Sequence, residues 1–365
     1  MIDAHQDLAW NMLSFARDYT RSAAETRQLE EGSLAVQVNG DTLLGWPDYQ
    51  QAHLGVIFAT LFAVPERLRT GDWETQCYAD ISQANRLYRA QLDCYHRLVD
   101  NHPDKFRLVQ SRKDLGHVIQ AWDMPPVHDE TSPGPAVGLV ILMEGAEGVR
   151  APAELEEWWD GGVRIIGPAW AGNRYCGGTN EPGGLTRAGH ELLEQMADLG
   201  FGLDISHMDE AAALQALEMY PGKVCATHSN ARALLKDGET NRQLTDTMIR
   251  SLIERDGVIG VVPYNRFLNP AWKISDGREV ISLKLLASQI DYICQMAGDA
   301  RHVGLGTDLD GGFGWQSTPV EIGSLVDFHI LGSLMAQKGY SEPDISAIFS
   351  ENWLKFLKET LPEST

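Results

Sequence analysis

Six side chains able to hold a metal or move a proton lie at the ends of short apolar segments. They are His5 and Asp7 in MIDAHQDLAW, Glu144 in AVGLVILMEG, His207 in FGLDISH, His228 in KVCATHS and Asp308 in HVGLGTD. On a β-strand, residues i and i+2 share a face, so His5 and Asp7 aim an imidazole and a carboxylate at one point. Alone, such a pair near a chain start is an ordinary surface ion pair. Repetition at the ends of five segments is harder to ascribe to accident. Asp204 and Asp310 lie near the same ends and read as supporting or turn residues. Three imidazoles and two carboxylates, with one further aspartate, suit a borderline cation such as zinc. A catalytic zinc commonly takes three protein ligands and a water, so five ligands match two ions that share a carboxylate. Two Zn²⁺, two carboxylates and a bridging hydroxide leave a charge of about +1, which polarises a carbonyl and supplies a nucleophile near neutral pH. The chemistry is metal-assisted hydrolysis, with Asp308 free to move protons.

Something must bring these ends together. Apolar strands alternate with amphipathic helices along the chain: strands are expected in MIDAH, 53–65, 136–145, 163–170, 201–207, 223–229, 257–264 and 302–308. Helices are expected over 72–104, after FRLVQ (106–110), and from Thr186 to a C-capping Gly200. Continuous apolar strands between helices mean a parallel sheet covered on both faces. Eight such strands predict a (β/α)₈ barrel in one domain, 1–365, with 12–52 as an insertion after the first strand and helices over 320–365. His207 and His228, 21 residues apart, are one helix plus its turns apart and belong on neighbouring strands. In such a barrel the C-terminal rim is where active sites are built.

The bulk properties narrow the function. Of the 365 residues, 43% are hydrophobic and 22% charged, which is globular composition. A net charge of -21 excludes a nucleic-acid backbone as partner, since that needs clustered Lys and Arg. The five cysteines are scattered and never in a Cys-x-x-Cys pattern, as in a reducing compartment. No apolar run reaches the roughly 18 residues of a membrane span. The opening lacks a signal-peptide pattern, so a cytoplasmic location without membrane attachment is expected.

The motifs as a set are similar to those of a known family. DAHQDLAW resembles the Asp-Gly-His-Asn-Asp-Leu opening of the renal (membrane) dipeptidases, peptidase family M19 of the amidohydrolase superfamily. The resemblance continues in order through LMEGAE (142–147), GLTRAG (184–189), LDISHMD (203–209), ATHSNARAL (226–234), Asn-Arg-Gln (241–243), GLGTDLDGG (304–312) and ENWLKFL (351–357). It implies that His5 and Asp7 hold one zinc, His207 and His228 another, and Glu144 bridges the two. It further implies Asp308 as the catalytic acid/base, Arg242 as the clamp on the substrate's C-terminal carboxylate, and Tyr264 as a substrate-lining residue. An arginine suits the clamp because its planar fork binds a carboxylate bidentately. The implied activity is cleavage of a dipeptide or similar small amide, and the implied assembly a homodimer.

One position departs from the family. Where most members carry Thr-His-Asn after the fourth strand, this chain reads RIIGPAWAGNRYCGG, with Pro168 in place of the histidine. Proline offers no side-chain donor and no N–H, so a stabiliser of the developing oxyanion is lost or moved. Asn173 and Arg174 in the following loop are the expected replacements; Cys176 there lacks a partner that would activate it. Two rival readings stay open. One keeps the metals and changes the substrate to an N-acyl amino acid, a lactam or a lactone. The other is a metal-binding barrel without catalysis.

Overall fold

The computed structural model describes residues 1–124, 134–235 and 240–364. Eight parallel strands form a closed barrel: β1 (Ile2–Gln6), β2 (Val56–Leu61), β3 (Val137–Glu144), β4 (Val163–Gly167), β5 (Gly202–Asp204), β6 (Val224–Ala226), β7 (Val258–Val261) and β8 (Val303–Leu305). Neighbours in this order are hydrogen-bonded, and β8 closes on β1 through Leu305 and Asp3. Every strand residue is buried, the result expected when apolar runs face a filled interior on one side and helices on the other. The barrel is therefore the (β/α)₈ fold read from the sequence. A further short strand, Phe106–Leu108, pairs with the start of β3 on the edge that β4 occupies further along.

The closing ENWLKFL segment seals the barrel. Helix Asn352–Thr360 packs on β1, β7 and β8, with Trp353 Nε1 donating to the Leu305 carbonyl (2.9 Å) and Asn352 Nδ2 to Ala300 and Val303. Residues 12–52 hold short helices Ala23–Leu29, Leu34–Asn39 and Trp46–Gln51. The first two start at Ser22 and Ser33, whose hydroxyls accept the orphan N–H groups of Glu25 and Val36. The insertion is tied to the loop after β8. Asp310 there accepts from Tyr19 Oη (2.7 Å) and Thr42 Oγ1 (2.7 Å) and pairs with Arg17 (3.1 Å).

The structure corrects the expected helix over 72–104. The helix is Ile81–Asn101, with Asp80 accepting from Gln83 N (2.8 Å) as its N-cap. The stretch before it makes turns and a two-residue strand, Cys77–Tyr78, on Val64–Pro65. This difference has a functional side, because the turns carry Trp73 and Glu74 to the barrel mouth. Among the described residues, no helix is long and apolar enough to cross a membrane.

Candidate metal centre

At the C-terminal rim, His5 is the last but one residue of β1 and Glu144 ends β3, while Asp7, His207, His228 and Asp308 follow β1, β5, β6 and β8 within three residues. The six meet at one point. Glu144 stands in the middle with its two oxygens facing different imidazoles. Oε1 is 2.9 Å from His207 Nε2 and 3.3 Å from His228 Nε2, while Oε2 is 3.5 Å from His5 Nε2. His5 Nε2 also lies 3.7 Å from Asp7 and 3.8 Å from Asp308.

The donor set fits divalent cations. His5 Nε2 is buried with no hydrogen-bond partner among the described residues, although three carboxylates surround it. His207 Nε2 and His228 Nε2 face each other at 2.9 Å. Two groups of ligand atoms, His5–Asp7–Glu144 and Glu144–His207–His228, are each compact enough for one ion, and they share Glu144.

Threonine hydroxyls hold the ligands from behind. Thr227 Oγ1 donates to Asp204 Oδ2 (2.6 Å), so it can only accept from His228 Nδ1–H (3.0 Å) and His5 Nδ1–H (3.4 Å). That direction leaves each Nε2 with its lone pair turned to the centre. Thr179 Oγ1 stands behind His207 at 2.9 Å from its Nδ1, and Thr60 contacts the Asp7 carboxylate. Asp204 thus supports the site, as the sequence suggested; Thr60, Thr179 and Thr227 were not singled out there. The sequence did hold one signal for them: Thr227 immediately precedes a ligand.

The electrostatics follow from crowding. Burial alone would lower the His5 pKa, but the charges of Glu144, Asp7 and Asp308 raise it to about 10. Burial, opposed by His5 and assisted by Glu144, lifts Asp7 to about 6 and holds Asp308 well above the carboxylate range. Burial also opposes the Glu144 charge, yet the His5 charge and the close His207 and His228 imidazoles pull it well below its usual value. Burial and the nearby Arg242 push His207 down to about 4, and burial with the charges of His5 and Arg242 pushes His228 well below its ordinary range. In the absence of metal, a proton on His5 offsets part of the carboxylate charge, a role open to a cation.

The loop after β8 is shaped for this cluster. Asp308 and Asp310 adopt left-handed backbone (φ 55° and 65°), uncommon outside Gly, Asn and Asp. Asp308 N donates to the His5 carbonyl (3.1 Å). A Cβ at Gly311 would collide with the Asp308 carboxylate and come within 2.7 Å of Asp7 Oδ2, so only glycine fits between the two.

Above the cluster opens a cavity of about 640 Å³, lined by Asp7, Glu144, His207 and Asp308. Arg242 and Tyr264 line it too. Arg242 is buried, with Nη1 donating to Ser206 O (3.0 Å) and Ser229 Oγ (3.0 Å), and Nη2 to His228 O (2.8 Å). Its Nε finds no partner among the described residues. Tyr264 stacks on Phe313 with ring centroids 4.3 Å apart.

Asn173 and Arg174 do not reach this cavity, which corrects the expectation placed on them. Asn173 Nδ2 donates to Glu147 Oε1 (2.9 Å) and Pro168 O (2.8 Å), and its Oδ1 accepts from Tyr175 N and Cys176 N. Arg174 is bound to the Val149 and Arg150 carbonyls. Both side chains brace the loop that follows Pro168. From that loop Trp170, two residues past the proline, enters the cavity, 6.0 Å from the His207 ring.

A parallel (β/α)₈ barrel with a shared-carboxylate cluster at its C-terminal rim is the architecture of a metal-dependent hydrolase. The particular family follows from comparison: the profile of the membrane dipeptidases, peptidase family M19, matches residues 1–364, and the chain belongs to that family of hydrolytic enzymes. A Klebsiella pneumoniae relative, an uncharacterized protein encoded in the pqqA 5′ region, is 34% identical over 234 residues, 61% of this chain and 82% of its own. The crystal structure of dipeptidase AC, an M19 metallopeptidase, superposes with a TM-score of 0.77 at 21% identity, covering 100% of this chain and 98% of that one. A Rhodobacter sphaeroides metallopeptidase, solved with a phosphinate mimic of the dipeptide L-Ala-D-Ala, also gives 0.77 at 21% identity, covering 98% of each chain.

Proposed function

We propose that the protein is a dinuclear zinc dipeptidase. The observation that carries this reading is the position of Glu144, one oxygen toward His5 and the other toward His207 and His228. That arrangement lets one carboxylate serve two ions, with His5 and Asp7 completing one set and His207 and His228 the other. A zinc pair supplies Lewis acidity and an acidified water in such a site.

The chain's own residues do the rest. Arg242 holds the substrate's C-terminal carboxylate with donors its carbonyl partners leave free, Nε–H among them. Asp308, in the same cavity and crowded by Asp7 and Glu144, takes a proton from the attacking water and passes it to the leaving amine. Thr227, Thr179 and Thr60 keep the ligands aimed throughout. The relative solved with a dipeptide mimic supports a dipeptide as substrate class. Five free cysteines support a reducing compartment, the cytoplasm.

The experiment compares zinc-loaded and chelated enzyme on dipeptides, C-terminally amidated dipeptides and N-acyl amino acids. Metal-dependent turnover of free dipeptides, lost on amidation, is expected. Turnover confined to N-acyl amino acids or lactones would replace the reading with that of a related amidohydrolase. Metal binding with no turnover at all would favour a non-catalytic barrel.

A further inference from the structure

The metal cluster and Arg242 account for one side of the cavity. The other side lies over β2, which stands opposite β6 in the closed eight-strand order. Arg242 belongs to the segment after β6, and the segment after β2 lines the same cavity from the opposite strand of the barrel order. That segment builds an apolar wall from Phe62, Val64, Leu68 and Trp73, joined by Trp10 from the helix after β1. Trp73 is wedged in place, edge-on to Trp10 (centroids 6.2 Å apart) and stacked on Phe15 (5.9 Å).

Within this wall stands one charge, Glu74, only 5% exposed. Its Oε2 accepts from Thr70 N (2.8 Å) and Thr70 Oγ1 (3.2 Å). It forms no ion pair among the described residues. A buried carboxylate without a counter-charge is unfavourable, which makes the site a receptor for a cation. Outside the metal cluster, Glu74 and Arg242 are the only charged side chains among the described residues lining the cavity. A negative group and a positive group lining one cavity above the metal cluster match a short zwitterion lying over it.

We infer that Glu74 binds the free ammonium of the substrate and that the Trp10–Phe62–Trp73 wall takes the side chain of its first residue. Preferred substrates are then dipeptides that begin with a large apolar residue. The inference rests on the dipeptidase reading and deepens it. A cavity of about 640 Å³ lies within the range of pockets that enclose drug-sized ligands, roughly 300–1,000 Å³. A dipeptide of two small residues would leave the apolar wall wet.

The test uses zinc-loaded full-length enzyme and three substrates with one C-terminal residue: Phe-Ala, Gly-Ala and the desamino analogue 3-phenylpropionyl-Ala. Phe-Ala should exceed Gly-Ala in kcat/KM by about 10-fold or more, since filling an apolar pocket discriminates on that scale. Phe-Ala should exceed the desamino analogue by roughly 30-fold or more, as expected of a charge-assisted contact. Glu74→Gln should remove most of that second ratio, mainly through KM, and leave the desamino analogue within about threefold of wild type. Trp73→Ala should erase the preference for Phe over Gly. Equal losses on Phe-Ala and its desamino analogue in Glu74→Gln would make Glu74 a prop for Thr70 and overturn the inference. Wild-type enzyme that cleaves Phe-Ala no better than the other two would overturn it without any variant. Zinc-loaded enzyme that cleaves neither dipeptide would instead fail the dipeptidase reading, and this inference with it.

Discussion

The floor and the wall of the cavity are built on different principles. The floor is made of ligands fixed at the ends of barrel strands, with His5, Asp7, His207 and His228 each held from behind by a threonine hydroxyl. The wall comes from connecting segments, Phe62–Glu74 and the loop after Pro168, and is largely indole and phenyl. Strand ends fix position because the barrel's hydrogen bonds fix them; connecting segments vary at little cost to the fold. Reaction type therefore resides in the floor, and substrate choice in the wall.

Substitutions should respect that division, and the largest effect belongs to the floor. Glu144→Gln should lower both metal content and turnover, the latter by about 1000-fold or more, because one change removes a ligand from both ions. Loss of a single ion with much activity retained would break the shared-carboxylate account. Next is the boundary between floor and wall. Arg242→Ala should reduce kcat/KM on free dipeptides by roughly 30- to 1000-fold, with metal content unchanged. Equal losses on amidated dipeptides would remove Arg242 from carboxylate binding.

Behind the floor, Thr227→Val should weaken zinc binding at both positions by about 10- to 100-fold, as loss of a ligand-orienting partner does. Thr227→Ser should restore it. Thr179→Val should weaken only the site of His207, so chelator competition on the two variants separates a shared support from a private one. The smallest effect on turnover belongs to Asn173→Ala. Removing its bonds to Glu147 and Pro168 should cost about 1–3 kcal/mol in stability, read by urea denaturation, with kcat within about threefold of wild type unless Trp170 moves.

The same division explains what the sequence disclosed. His5, Asp7, Glu144, His207, His228 and Asp308 are chemically conspicuous at the ends of apolar strands, and the alternation that reveals the barrel also places them on one rim. The wall has no such mark. Trp10, Phe62 and Trp73 are residue types that ordinary cores use, and spacing alone does not distinguish a lining aromatic from a packed one. The pattern DWETQCYAD runs into the helix without Gly or Pro, so the break before Ile81 depends on Asp80 as N-cap, a single-residue signal. Asn173 and Arg174 illustrate the converse. Each could reach a substrate by chain distance, but the half-buried Glu147 and the Val149 and Arg150 carbonyls, all in the segment after β3, claim their donors first.

The central claim is a centre of two metals joined by Glu144, and metal stoichiometry tests it most directly. The enzyme, purified without chelators and saturated with zinc, should contain about two zinc ions per chain by elemental analysis, as expected of a site with two ligand sets. A reproducible value of one, with full activity, would contradict it.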